Sequence, residues 1–228
     1  MPPTWCQFDS GPCSPDFNMA LDEALLVSSH LLRRPVLRFY AWSEPAASFG
    51  FFQRHAEVAR WTRLRPLVRR PTGGGLVPHL ADWTYSLVFP PDDPWYSIKA
   101  LASYRQLHEW IQAAFADLGV ATSLAPVPVP TAPGQCFVGA AQFDVLFEGR
   151  KIAGAAQRRT RDGLLIQGSV QCQPPSVNRA DWQEAMSKVA QSRHGVEWTR
   201  FEPDAGLIEL ATELARQKFS QAAYNQRC

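Results

Sequence analysis

The 228-residue sequence predicts one domain, spanning residues 1–228, of the α/β or α+β class. Three observations carry that expectation. Long segments show apolar residues at helical spacing, and short β-branched or aromatic runs with strand character lie between them. The 46% hydrophobic composition supplies one sizeable core.

The elements follow in order. Ser14-Pro15-Asp16 has the composition of a helix start, and Phe17, Leu21, Ala24, Leu25 and Ser28 continue at helical spacing toward Leu32. Residues 36–42 (VLRFYAW) and 84–89 (TYSLVF) read as strands, the second closed by Pro90-Pro91. Over 97–118 the spacing predicts a helix with Ile98, Leu101, Tyr104, Leu107, Ile111, Ala114, Phe115 and Leu118 on one face and Gly119 as its stop. Prolines at 126, 128, 130 and 133 make 124–134 a stiff extended loop lying over one domain. Residues 143–148, 151–157 and 164–171 predict an antiparallel meander. Its first turn, Gly149-Arg150, suits type II′, and its second is Arg161-Asp162-Gly163. Helical patterns return at 179–189 and 204–224, the latter with Leu207, Ile208, Ala211, Leu214, Ala215 and Phe219 as a core stripe.

Lys and Arg total 23 against 21 acidic residues, too even a balance for the basic field that nucleic-acid binding requires. The polar, Pro-containing start lacks a basic stretch followed by an apolar run, and no segment approaches about 18 consecutive apolar residues. The expectation is a soluble cytoplasmic protein with neither nucleic acid nor membrane as partner. Cys6, Cys13, Cys136, Cys172 and Cys228 are odd in number, scattered and without a CxxC pair, so neither a disulfide framework nor a metal site is expected. For all but Cys136 the expected state is a small buried thiol.

Candidate chemistry concentrates in two stretches. The first, Val68-Arg-Arg-Pro-Thr-Gly-Gly-Gly-Leu-Val-Pro-His79, sets Gly73, Gly74 and Gly75 after Arg69 and Arg70. Glycine permits positive φ and leaves no Cβ in the way, so such a backbone can approach a ligand closely, with the arginines supplying charge. The spacing is neither a Walker loop nor a GxGxxG fingerprint. His79 gains interest only beside this loop. In the second stretch, Cys136 follows the proline loop, where a thiol is reachable and where a cation such as Lys151 can lower its pKa. Gly154 interrupts the strand after Lys151, and small residues at 153–156 shape one wall of a narrow apolar slot. Taken singly, each feature also has a structural explanation: a flexible turn, a solvated lysine, a tight helix–sheet contact.

Together, the segments resemble the lipoate-protein ligase, octanoyltransferase and biotin ligase catalytic-domain family. The resemblance runs in order through Phe17-Asn-Met-Ala-Leu-Asp-Glu-Ala-Leu-Leu26, Leu37-Arg-Phe-Tyr-Ala-Trp42 with Ser48-Phe-Gly-Phe-Phe-Gln53, Arg69-Arg-Pro-Thr-Gly-Gly-Gly-Leu-Val-Pro-His79, and Gly149-Arg-Lys-Ile-Ala-Gly-Ala-Ala-Gln157 with Gln167-Gly-Ser-Val170. It implies an α+β fold with a mixed β-sheet flanked by helices, and an acyl chain lying between the glycine loop and the lysine strand. Cys136-Phe137, Phe143-Asp144 and Lys151 are similar to the cysteine-dependent octanoyltransferases with ligase-like sequence. In that likeness Cys136 is the nucleophile and Lys151 polarises the thioester carbonyl. Arg69, Arg70, Gly73, Gly74, Gly75, His79 and Gly154 then line the substrate site. The family pattern is departed from at three sites: Leu80 stands where an Asp is common, Ala140-Ala141 where Pro-Ser is common, and Ile166 where a further His is common. No length remains after the last helix for the accessory C-terminal domain of many ligases.

The resemblance implies transfer of an octanoyl or lipoyl group to the lysine of a lipoyl domain, with no cofactor. The partners would be an acyl carrier protein and lipoyl-domain proteins, such as glycine cleavage H protein or 2-oxoacid dehydrogenase subunits. Two alternatives stand beside it: an ATP-dependent lipoate-protein ligase acting through lipoyl-adenylate with ATP and Mg, and a non-catalytic acyl or lipoyl-domain binding module.

Overall fold

The computed structural model describes residues 2–128, 137 and 139–227. A mixed sheet of eight strands runs β11-β1-β2-β6-β10-β9-β8-β7. Its members are β1 (Thr4–Cys13), β2 (Val36–Trp42), β6 (Trp83–Phe89), β7 (Ser123–Leu124), β8 (Val145–Phe147), β9 (Arg150–Thr160), β10 (Gly163–Val170) and β11 (Glu197–Arg200). β1 pairs in parallel with β2 and β11, and all the other pairs are antiparallel. A second sheet of three strands orders β3 (Ala46–Phe49) between β4 (Leu67–Arg69) and β5 (Val77–His79).

Helices cover both faces of the large sheet, because its central strands are apolar on both sides. On one face α4 (Ala100–Asp117) and α5 (Arg179–His194) bury Trp110, Ile111, Phe115, Trp182 and Met186 against Leu37, Leu87, Phe89 and Ile166. On the other, α1 (Pro15–Leu32) and α6 (Ala205–Leu214) set Leu21, Leu25 and Leu207 against Val36, Val88 and Leu165. This is the α+β arrangement the resemblance implies.

Several boundaries move. The expected helix at 97–118 begins three residues later and leaves Leu101 57% exposed, because the backbone is extended at Ile98 and Lys99 after a separate turn, α3 (Pro94–Ser97). The β8–β9 turn is centred on Glu148-Gly149, both at positive φ (49° and 74°), which is type I′ geometry and not the II′ turn expected one residue on. The expected helix over 204–224 is α6, a π-helical turn over Ala215–Phe219 and a short α7 (Ala222–Asn225), with Ile208 38% exposed. β1, β11 and the small sheet, together with α2 (His55–Trp61), had no expectation attached.

Candidate active site

A narrow cavity lies between the two sheets. The large sheet contributes Lys151, Gly154, Ala155 and Gln167; the small sheet and its flanks contribute Ser48, Arg70, Val77 and His79; Met19, Tyr40 and Trp42 extend the apolar surface. Phe137 also lines it. The sequence-predicted residues Arg70, His79, Lys151 and Gly154 thus meet at one place. Cys136 lies outside the described residues.

Lys151 reaches its position through a break in strand alternation. Residues three apart on a regular strand face opposite sides. Here Val145 pairs with Ala153 but Leu146 with Lys151, a bulge that puts one extra residue into β9. Ile152 and Ala153 both pack in the core, which turns Lys151 and Gly154 toward the cavity together. The lysine side chain then folds over Gly154, where an added Cβ would sit 2.7 Å from Lys151 Cε and 2.8 Å from Nζ. Lys151 Nζ meets Asp144 Oδ2 at 2.7 Å, with side chains only 8% and 0% exposed, and lies 4.8 Å from the Phe137 ring centre. Such a buried pair holds because each charge is the other's partner.

Opposite, Arg70 closes the glycine loop on itself. Its guanidinium donates to the Gly73 and Gly75 carbonyls, each at 2.8 Å, and to Ser48 Oγ at 2.9 Å. Gly74 takes positive φ (83°), and its backbone lies so close to Gly50 that no Cβ fits at position 50. Gly73, Gly74 and Gly75 do not line the cavity themselves; they brace the residues that do. Thr72 ties this loop to the large sheet by donating to Gln167 Oε1 at 2.7 Å, and Gln167 Nε2 donates to the buried Asp22 at 2.7 Å. Asp22 in turn pairs with Arg38 at 2.7 Å, both side chains fully buried.

Arg69, expected in the substrate site, points elsewhere. It donates to five backbone carbonyls, of Phe51, Gln53, Tyr224, Asn225 and Arg227, at 2.6 to 3.2 Å, and so ties α7 to the rest of the chain.

His79 stacks on Trp42 with ring centres 3.7 Å apart. Its Nε2 lies 2.7 Å from Ser48 Oγ and its Nδ1 2.8 Å from Asp82 Oδ2. Arg70 donates to the same Ser48 oxygen, and Nδ1–H of His79 donates to Asp82. Burial would raise the Asp82 pKa, but the facing His79, with hydrogen bonds from His79, Ser169 and Thr84, holds the carboxyl below its usual range. Asp82 thus supplies a carboxylate to His79, while Leu80, where the family commonly has Asp, is 70% exposed. Ile166, at another of the departures, is buried in the core under α4 and α5. Residues that sequence reasoning gave no role, Ser48, Asp82, Asp144 and Gln167, all hold cavity residues in place. For Ser48, Asp144 and Gln167, proximity to the quoted motifs was the available signal. Of the four cysteines expected to be buried, Cys6 is, Cys13 is half-buried, Cys172 is exposed, and Cys228 lies outside the described residues.

Among the described residues no group of three or more His, Cys, Asp or Glu side chains is placed to hold a metal ion, and no helix is long and apolar enough to cross a membrane.

The fold is that of lipoate ligases. Lipoate-protein ligase A bound with ATP superposes with a TM-score of 0.78 at 20% identity, covering 99% of each chain. A bipartite lipoate protein ligase from Thermoplasma acidophilum, described with its E2 lipoyl domain, gives 0.74 at 20% identity, covering 99% of this chain and 96% of that one. The chain belongs to the lipoyl protein ligase A/B catalytic domain family, whose pattern matches residues 14–220. It is similar to the octanoyltransferase LipM of Bacillus cereus, 36% identical over 181 residues that cover 73% of this chain and 64% of the relative. LipM of Staphylococcus aureus is 35% identical over 187 residues, covering 75% and 66% respectively. The chain thus matches just under two thirds of the length of these relatives.

Proposed function

We propose that this protein transfers an octanoyl or lipoyl group to the lysine of a lipoyl-domain protein through a thioester on Cys136. The observation that carries the reading is the Lys151–Asp144 pair folded over Gly154 at the wall of an apolar cavity. An ammonium fixed there is suited to a carbonyl oxygen that gains charge as a nucleophile attacks. Phe137, which follows Cys136 in the chain, lines the same cavity and faces Lys151. The similarity to octanoyltransferases supports the same reading.

In the first step the Cys136 thiolate attacks the thioester carbonyl of an acyl carrier protein. The new S–C bond forms, the carrier's S–C bond breaks, and the carrier thiol leaves with a proton. In the second, the neutral amine of the acceptor lysine attacks the Cys136 thioester; the amide C–N bond forms, the S–C bond breaks, and the amine proton restores the cysteine thiol. No cofactor enters either step. Lys151 polarises the carbonyl in both, and the apolar wall accepts the saturated chain. Acceptors of this class include glycine cleavage H protein and 2-oxoacid dehydrogenase subunits.

Incubation with octanoyl-acyl carrier protein, followed by intact-mass measurement, tests this. The expected result is a hydroxylamine-labile adduct of one octanoyl group that disappears in Cys136→Ala. No adduct, or one that survives Cys136→Ala, overturns it. Lipoyl-domain modification that needs ATP and free lipoate and is indifferent to Cys136→Ala would replace the reading with ligation, and acyl binding without turnover would replace it with a binding module.

A further inference from the structure

Asp144 is a fully buried carboxylate with donors on both oxygens. Oδ2 accepts from Lys151 Nζ at 2.7 Å and from the Ala141 backbone N–H at 2.6 Å. Oδ1 accepts from the hydroxyl of Tyr104, which stands one turn into α4. Burial, and after it the charge of Asp144, push the Tyr104 hydroxyl well above the usual tyrosine range, so it remains a donor. The same oxygen faces the Ala155 N–H at 3.4 Å, on the strand that forms the cavity wall. The Tyr104 ring is packed edge to face on buried His108, with ring centres 4.1 Å apart, which leaves the hydroxyl little freedom to turn away.

These contacts form a line from a helix behind the wall to the group in front of it. The carboxylate touches the Gly154 site as well: an added Cβ there would lie 3.1 Å from Asp144 Oδ1. The position of the lysine ammonium thus depends on the rotation of the Asp144 carboxylate, and a carboxylate gripped on one oxygen only can rotate. Tyr104 supplies the grip on the other.

We propose that Tyr104 is a positioning residue: by holding Asp144 Oδ1 it fixes the carboxylate that holds Lys151 across Gly154. The role rests on the reading of Lys151 as the group that polarises the acyl carbonyl. Tyr104 is not among the residues that line the cavity and acts through Asp144.

The test uses the full chain and two independent readouts. In the first, Lys151 is labelled with acetic anhydride, with Lys99, Lys188 and Lys218 as internal standards, and peptide masses give relative rates. Tyr104→Phe keeps the ring and removes only the hydroxyl, so Lys151 should label about tenfold faster as it leaves the buried pair, in line with the strength of a hydrogen bond to a charged group. Asp144→Asn should raise labelling at least as much, and the double variant should match Asp144→Asn alone, because the group the hydroxyl holds then no longer carries the charge that pairs with Lys151. In the second readout, octanoyl transfer by Tyr104→Phe should show kcat reduced about tenfold with KM for the donor within about twofold. Unchanged Lys151 labelling in folded Tyr104→Phe, or additive effects in the double variant, would overturn the proposal. If Asp144→Asn does not fold, the Tyr104→Phe labelling decides alone. Absence of transfer in the wild type would defeat the acyl-transfer reading and leave the labelling result to judge Tyr104.

Discussion

Asp82 Oδ2 lies 2.8 Å from Nδ1 of His79 while also accepting from Ser169 at 2.7 Å and Thr84 at 3.1 Å. One carboxylate oxygen therefore orients the histidine that stacks on Trp42 and joins β5 to both central strands of the large sheet. Its depressed pKa makes the contribution pH-dependent. A folded pKa below the unfolded value gives stability that is full above about 3.9 and is lost as pH falls through the folded pKa. Urea denaturation should show wild type more stable than Asp82→Asn by about 1 to 3 kcal/mol at pH 7, and the gap should close as the medium is acidified below the carboxylate range.

Gly154→Ala separates folding from chemistry. The clash falls on the far end of a flexible lysine and on a carboxylate oxygen, so the chain can fold by moving Lys151 aside. Thermal unfolding should shift by only a few degrees, whereas octanoyl transfer should fall on the order of 100-fold, the usual cost of a misplaced oxyanion donor.

Arg69→Lys should behave in the opposite way. A point ammonium cannot reproduce a fork that reaches five carbonyls, so about 3 kcal/mol of stability should be lost. KM for the acyl donor, measured well below the unfolding temperature, should be unchanged, since the side chain does not face the cavity.

His108 should make the protein acid-labile. Complete burial, and then the charge of Lys151, push its pKa down to about 3, so the folded state refuses a proton that the unfolded chain accepts below about 6.5. Stability should fall by about 1.4 kcal/mol per pH unit from this residue between those limits. His108→Leu should flatten that slope in denaturation curves recorded from pH 7 to pH 4; an identical slope would assign the lability elsewhere.

The sequence showed much of the fold and less of the site. Helix α1 was legible because Pro15 and Asp16 mark its start and its apolar face is regular. β1 was not: Thr4–Cys13 mixes polar residues with Gly11 and Pro12, and its strand state comes from parallel pairing with distant β2 and β11. The turn after β8 was displaced by one residue because Glu148 takes positive φ, which a search for glycine and aspartate does not anticipate. In the site, Lys151 and Gly154 were found as neighbours in one motif, but their common face depends on a bulge that strand periodicity denies. Arg69 and Arg70 look equivalent in sequence. They diverge because adjacent residues at the end of a strand point to opposite sides, one toward α7 and one toward the glycine loop.

The cavity's two walls belong to different sheets, and polar contacts cross that seam, Thr72 to Gln167, Ser169 to Asp82, and Gln171 to the Pro78 carbonyl at 2.8 Å, beside the stack of His79 on Trp42. Each sheet has a hydrophobic cluster of its own, and a third cluster joins Tyr40 of the large sheet to Val68 of the small one. Mechanically, the small sheet is a jaw held against the large one by polar stitches and by a shared apolar hinge. Water can satisfy the hydrogen-bonding groups that a separation would expose but not the apolar surface, so the slot's width is set by the fold and a bulkier acyl chain has to be fitted by the side chains that line it.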